Sequence, residues 1–170
     1  MRKIFIASFA ANIMLGIYSS FTLPSRVATH FGSGGVPDGW ASVGAHTFLV
    51  LGIEIVLFLA LYYSPGLMLK TPPQWINIPH KEYWLKPENR ERMRDAVSKL
   101  MWRFGTALFL FLFILGLLSL EANLSDPVRL DEKPLFWALG IFGVYLILWC
   151  ISLARAFRIP DDRGGTGTVG

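Results

Sequence analysis

The sequence predicts an all-α fold: an integral membrane bundle of four transmembrane helices, with both termini on the cytoplasmic side. Three observations predict it. Only 16% of the 170 residues are charged while 53% are apolar, and the mean hydropathy is +0.46; a soluble domain carries about 25% charge. The apolar residues gather in four runs, 4–23, 46–63, 100–120 and 135–154, each close to the roughly 20 residues a helix needs to cross a hydrocarbon core. The basic residues are divided unevenly among the segments that join these runs.

Each run is apolar on all sides, as expected of a helix in lipid. A helix satisfies its own backbone there. The alternating segments of about ten residues that build a membrane β-barrel are missing. Arg2 and Lys3 before the first run also suit a cleaved signal peptide. No Ala-x-Ala site follows and the run is long for a signal, so it reads as an uncleaved helix. The single cysteine, Cys150, lies in the fourth run and has no partner for an internal disulfide.

Orientation follows from the basic residues. With both termini inside, twelve lie on the inner side and three on the outer, Arg103 within the third run being left aside. Basic segments stay cytoplasmic, so 24–45 reads as an external loop and 64–99 as a cytoplasmic one. In a bacterium this is a multi-pass protein of the inner membrane. The net charge of +4 reflects that asymmetry, and nothing resembles the basic, aromatic-interleaved surface of a nucleic-acid binder. The lipid bilayer is the expected surrounding. A membrane-protein partner or self-association is the expected further contact.

The external loop, LPSRVATHFGSGGVPDGW over 23–40, is polar, aromatic and rich in glycine. Pro24 and Pro37 stiffen its ends. The Gly32–Gly35 stretch permits positive φ and a nest of amides suited to an anion. Pro37, Asp38 and Gly39 read as a turn capped by the Asp38 carboxylate. The expected form is an ordered, hairpin-like cap in which His30 bonds a carbonyl and Trp40 anchors among headgroups. Binding of an external ligand or peptide is the alternative. A metal site from His30, Asp38 and His46 is disfavoured, because no two share a helical i,i+4 spacing. No cofactor is expected. The nucleophile-elbow, metalloprotease and phosphate-loop motifs are all missing, so an enzyme is not predicted.

The cytoplasmic loop divides in two. Its first part holds four prolines and cannot be one helix; Trp75, Tyr83 and Trp84 suit the headgroup zone. PENRERMRDAVSKLMWR then reads as a charged helix running into the third span, with Glu88–Arg92 and Asp95–Lys99 as i,i+4 pairs. Met93, Val97, Leu100 and Met101 form its membrane-facing stripe. The Gly/Thr-rich end of the chain, 156–170, reads as a disordered tail.

Two of these stretches carry a resemblance. Leu23-Pro24, His30-Phe31, Gly35, Pro37-Asp38 and Trp40 resemble the external signature of small bacterial membrane proteins of unknown function. NIPHKEYWLKPENR, with Asn77, Pro79, Tyr83 and Trp84, is similar to a motif after their second helix. The same domain begins the SdpI-like immunity proteins, named for a sporulation-delaying toxin. The resemblance implies a helical membrane fold and no established chemistry; in the longer immunity proteins it implies protection of the producing cell and tethering of a repressor.

Three polar residues fall inside the spans: Asn12, Glu54 and Tyr145. At about 1.5 Å per residue they lie roughly 16, 12 and 15 Å from the outer helix ends. An acid in a span is rare and faces the bundle interior. The expected arrangement is a polar clasp in which Glu54 meets Asn12 and Tyr145. Arg103 is near enough to the inner edge to snorkel. The leading functional reading is a non-enzymatic membrane protein that senses, binds or assembles through its external loop and cytoplasmic loop. The alternatives are an accessory subunit of a larger membrane complex and a proton-coupled carrier using Glu54.

Overall fold

The computed structural model describes residues 1–159. It is mostly helical. Four helices are long and apolar enough to span a membrane: α1 (Arg2–Thr22), α2 (Val43–Lys70), α4 (Arg90–Leu124) and α5 (Glu132–Ala156). Between α1 and α2 lie two antiparallel strands, β1 (Arg26–Phe31) and β2 (Pro37–Ser42). A one-turn helix, α3 (Lys81–Trp84), sits in the segment between α2 and α4.

α4 is the hub and packs against α1, α2 and α5, while α1 and α2 also pack on each other. Small residues set the spacing. A Cβ on Gly105 of α4 would meet the Phe5 ring at 2.3 Å, and one on Gly16 of α1 would meet Leu51 at 2.6 Å. Close approach of this kind stabilises helix pairs in lipid, where burial of apolar surface offers no drive.

α2 runs further than its apolar run, straight through Pro65. Proline lacks the N–H that would bond the carbonyl four residues back. Here the Ser64 hydroxyl donates to that same carbonyl, Leu61 O, at 3.2 Å, so the helix continues.

The segment after α2 folds rather than lying along a headgroup layer. Trp84 is buried, its Nε1 donates to Phe157 O at 3.0 Å, and the two rings meet edge to face at 5.7 Å. Met93 and Leu100 complete this cluster, with Val97 and Met101 packed around it. The stripe expected to face the membrane therefore faces Trp84 and Phe157. An indole and a phenyl ring from separate segments bury it more completely than a headgroup layer does. Trp75 remains 76% exposed. Neither expected i,i+4 pair forms; among the described residues the ion pairs are His30–Asp38 and Arg94–Asp95. The expected disordered tail lies, from residue 160 onward, outside the described residues, but Phe157 before it is packed.

Candidate functional site

The hairpin is built onto the helices. Asn123, at the end of α4, accepts from Ala28 N at 2.6 Å through Oδ1 and donates to Ala28 O at 3.1 Å through Nδ2. Val27, Ala28, Ala122 and Asn123 are all buried at this seam. The tip is clamped by the α4–α5 connection: Leu130 N donates to Gly35 O at 2.9 Å and Arg129 Nε to Gly34 O at 2.9 Å. Gly34 N in turn donates to Glu132 Oε1 at 2.9 Å. The expected anion-binding nest is thus filled by the chain's own carboxylate.

Several expectations for this loop are corrected. The turn is Ser33–Gly35 rather than Pro37–Gly39, because Gly34 and Gly35 take φ of 72° and 71° and leave Pro37 to begin β2. Asp38 does not cap a turn. Its Oδ1 pairs across the strands with His30 Nδ1, and both side chains are largely exposed. His30 therefore bonds a carboxylate instead of a carbonyl. Phe31 closes the strand pairing opposite Pro37, and Pro24 lies in the link from α1. Trp40 is partly exposed, with the Arg26 guanidinium 5.5 Å from its ring centre.

Beside the hairpin end of the bundle lies a cavity of about 230 Å³ between α1, α2 and α4. It runs from Asn12 and Glu54 at one end to Leu23, His46 and Leu120 at the other. Six leucines and Val50 line it. Ser19, Ser119 and Thr47 add hydroxyls. Glu54 is 6% exposed, and its Oε2 has no hydrogen-bond partner. A buried carboxyl oxygen left unpaired costs the full desolvation of that atom, so this position invites a donor.

The cavity is closed on the side away from the hairpin. Phe58, one turn further along α2 than Glu54, stacks on Phe5 at 5.1 Å and Phe9 at 4.2 Å. Phe109 of α4 tilts against both at 5.8 and 5.3 Å. Four rings from three helices plug the bundle there.

Asn12 and Glu54 share the cavity, but the expected clasp does not form. Asn12 Nδ2 donates to Ser8 O at 2.9 Å and to Phe109 O at 2.8 Å, tying α1 to α4. Tyr145 is elsewhere. It stacks with Phe142, 6.3 Å away, which stacks on Phe111 of α4 at 4.5 Å. Equal depth places groups level without making them neighbours, and α5 lies against α4 rather than completing the cavity wall.

In the α2–α4 segment, Trp84 is a packing residue. The Tyr83 ring meets it edge to face at 5.3 Å, and Tyr83 O accepts from Asn89 Nδ2 at 2.8 Å. Asn77 and Pro79 lie in the irregular stretch before α3, where His80 adopts φ 53°. Among the described residues no group of three or more His, Cys, Asp or Glu could hold a metal ion.

Fold and helix composition define a multi-pass membrane protein. A family model described as a domain of unknown function, DUF1648, matches residues 7–56. The match takes in most of α1, the hairpin and α2 as far as Val56. It therefore covers Asn12, His46 and Glu54 but not the α4 wall of the cavity. No curated protein and no solved structure matches the chain.

Proposed function

We propose that this chain is a non-enzymatic, ligand-binding protein of the bacterial inner membrane, with both termini cytoplasmic and the hairpin outside. The ligand enters the cavity from the hairpin end. The observation that carries the reading is Glu54: a buried carboxyl oxygen without a partner, at the inner end of a largely apolar cavity. Such a site suits a small apolar body bearing a hydrogen-bond donor, above all an amine, whose bond to a carboxylate is charge-assisted. The hairpin is anchored at Ala28 and at its glycine tip, which makes it a rigid rim that can report occupancy to α4 through Asn123.

The finer kinship, with the SdpI-like immunity proteins, is part of this proposal. It is supported by the signature from Leu23 to Trp40 and by the family match over the same stretch. A proton-coupled carrier is the second reading, favoured by the same unpaired carboxyl. The aromatic plug of Phe5, Phe9, Phe58 and Phe109 favours a blind pocket over a path.

Adjacent residues of α2 test the cavity. Val50 lines it while Leu49 is 61% exposed on the outer helix surface, and Val50→Cys and Leu49→Cys are compared in a Cys150→Ser background. A small water-soluble thiol reagent added outside reacts with the first and spares the second. Equal labelling of both, or labelling of Leu49→Cys alone, contradicts the reading.

A further inference from the structure

At the end opposite the hairpin, α4 and α5 enclose a groove lined by Arg92, Lys99, Arg103, Ser152, Arg155 and Arg158, with Glu88, Glu91 and Asp95 on the α4 side. Two of its charges already have company. Asp95 lies 3.7 Å from Arg94, and the Arg92 guanidinium lies 5.9 Å from the Trp84 ring centre. Lys99, Arg103, Arg155 and Arg158 form no ion pair among the described residues.

Three of these, Lys99, Arg103 and Arg155, converge in height. Trp149 Nε1 donates to Leu100 O at 3.1 Å, which brings these two residues within a side chain's length of one level. Arg103 lies about 4.5 Å from that level toward the hairpin and Arg155 about 9 Å from it the other way. Long side chains from both directions therefore reach the height of Lys99 and Ser152. The acids Glu88 and Glu91 lie at the far end, at the start of α4 and in the turn before it.

Directly beyond the basic turn the surface changes character. Leu148 and Ile151 stand four residues before Ser152 and Arg155 on α5 and are 57% and 43% exposed. Leu110, two turns beyond Arg103 on α4, is 53% exposed. A cluster of unpaired cations thus borders an apolar strip at the edge of the spanning region. One molecule with an anionic head and hydrocarbon tails satisfies both parts.

We infer that the α4–α5 groove holds the headgroup of an anionic phospholipid of the inner leaflet, with its phosphate among Lys99, Arg103, Arg155 and Arg158 and its acyl chains along Leu110, Leu148 and Ile151. Free phosphate would use the cations alone and leave the apolar strip idle. Diffuse attraction to a charged surface would use every basic residue of the segment alike.

The test uses the full chain in a neutral detergent, titrated with phosphatidylglycerol, phosphatidylcholine or inorganic phosphate, with bound lipid counted by native mass spectrometry. The expected result is retention of phosphatidylglycerol over phosphatidylcholine, undisturbed by excess phosphate. The Arg103→Gln/Arg155→Gln variant loses affinity on the order of tenfold or more, whereas Lys81→Gln/Lys86→Gln, which removes the same charge outside the groove, keeps it within about twofold. Lys99→Gln/Arg158→Gln is a second groove variant, also on exposed side chains, and gives the same loss if the first pair fails to fold. Equal retention of the two lipids, displacement by inorganic phosphate, or equal loss in the groove and control variants overturns the inference.

Discussion

Asn123 holds Ala28 by both of its backbone groups, at 2.6 Å to the amide and 3.1 Å to the carbonyl. The side-chain amide acts as one more rung on the hairpin and ties β1 to the end of α4. Asn123→Ala leaves a buried N–H and a buried C=O unpaired, and the expected loss is on the order of 2–3 kcal/mol. Asp38→Ala removes only an exposed pair with His30, so its effect stays within about 1 kcal/mol. Unfolding in detergent, followed for both variants, checks the order; an Asp38 effect equal to that of Asn123 contradicts it.

Gly35 makes the other attachment. Its φ is 71°, and a Cβ there would stand 2.0 Å from Leu130 O. Gly35→Ala must displace backbone as well as adopt an unfavourable conformation, for an expected loss on the order of 2–3 kcal/mol. Gly44, with nothing within 4 Å of its Cβ position, accepts alanine without loss. Limited proteolysis of the hairpin separates the two: faster cleavage in Gly35→Ala, unchanged cleavage in Gly44→Ala.

Trp84 carries the small core between α2 and α4. Trp84→Ala empties the space among Met93, Leu100 and Phe157 and is expected to cost about 3–5 kcal/mol. Trp75→Ala touches a ring that is 76% exposed and stays within about 0.5 kcal/mol. Equal melting of the two variants in micelles would place Trp84 among headgroups instead.

Orientation is tested at both ends of the bundle. In a Cys150→Ser background, Ser33→Cys on the hairpin is expected to react with an impermeant thiol reagent applied to intact cells. Glu82→Cys, on α3, is expected to react only after the membrane is broken. Both sites are exposed. The reverse pattern contradicts the orientation assigned from the basic-residue asymmetry.

Much of the fold was legible because lipid imposes a blunt rule: a helix there must be apolar on all sides, and four runs were. Glu54 stood out for the converse reason, since an acid is rare in such a run. The hairpin was legible as an ordered cap, but its turn, register and anchoring were not. VATHF and PDGWAS are short, VATHF carries polar residues on both faces, and the pair is held by Asn123 and by Gly35 lying against Leu130. Asn123 lies beyond the third apolar run, where a polar residue is unremarkable and carries no signal. Tyr145 was misplaced because depth along a helix carries no information about rotation or about which helices are neighbours. Trp84 was misplaced because an amphipathic ring suits an interface and a small core equally well, and only Phe157, 73 residues away, decides between them.

Glu54 ends an apolar cavity with a buried carboxyl oxygen that lacks a hydrogen-bond partner. A cavity of about 150 Å³ takes benzene, so about 230 Å³ has room for benzylammonium. The decisive measurement is the thermal stabilisation of the purified chain by benzylammonium and by toluene, in wild type and in Glu54→Leu. Benzylammonium is expected to stabilise the wild type more than toluene does, and Glu54→Leu to lose the benzylammonium effect while keeping that of toluene. Benzylammonium stabilisation that survives Glu54→Leu, or no stabilisation of the wild type by either compound, would contradict this.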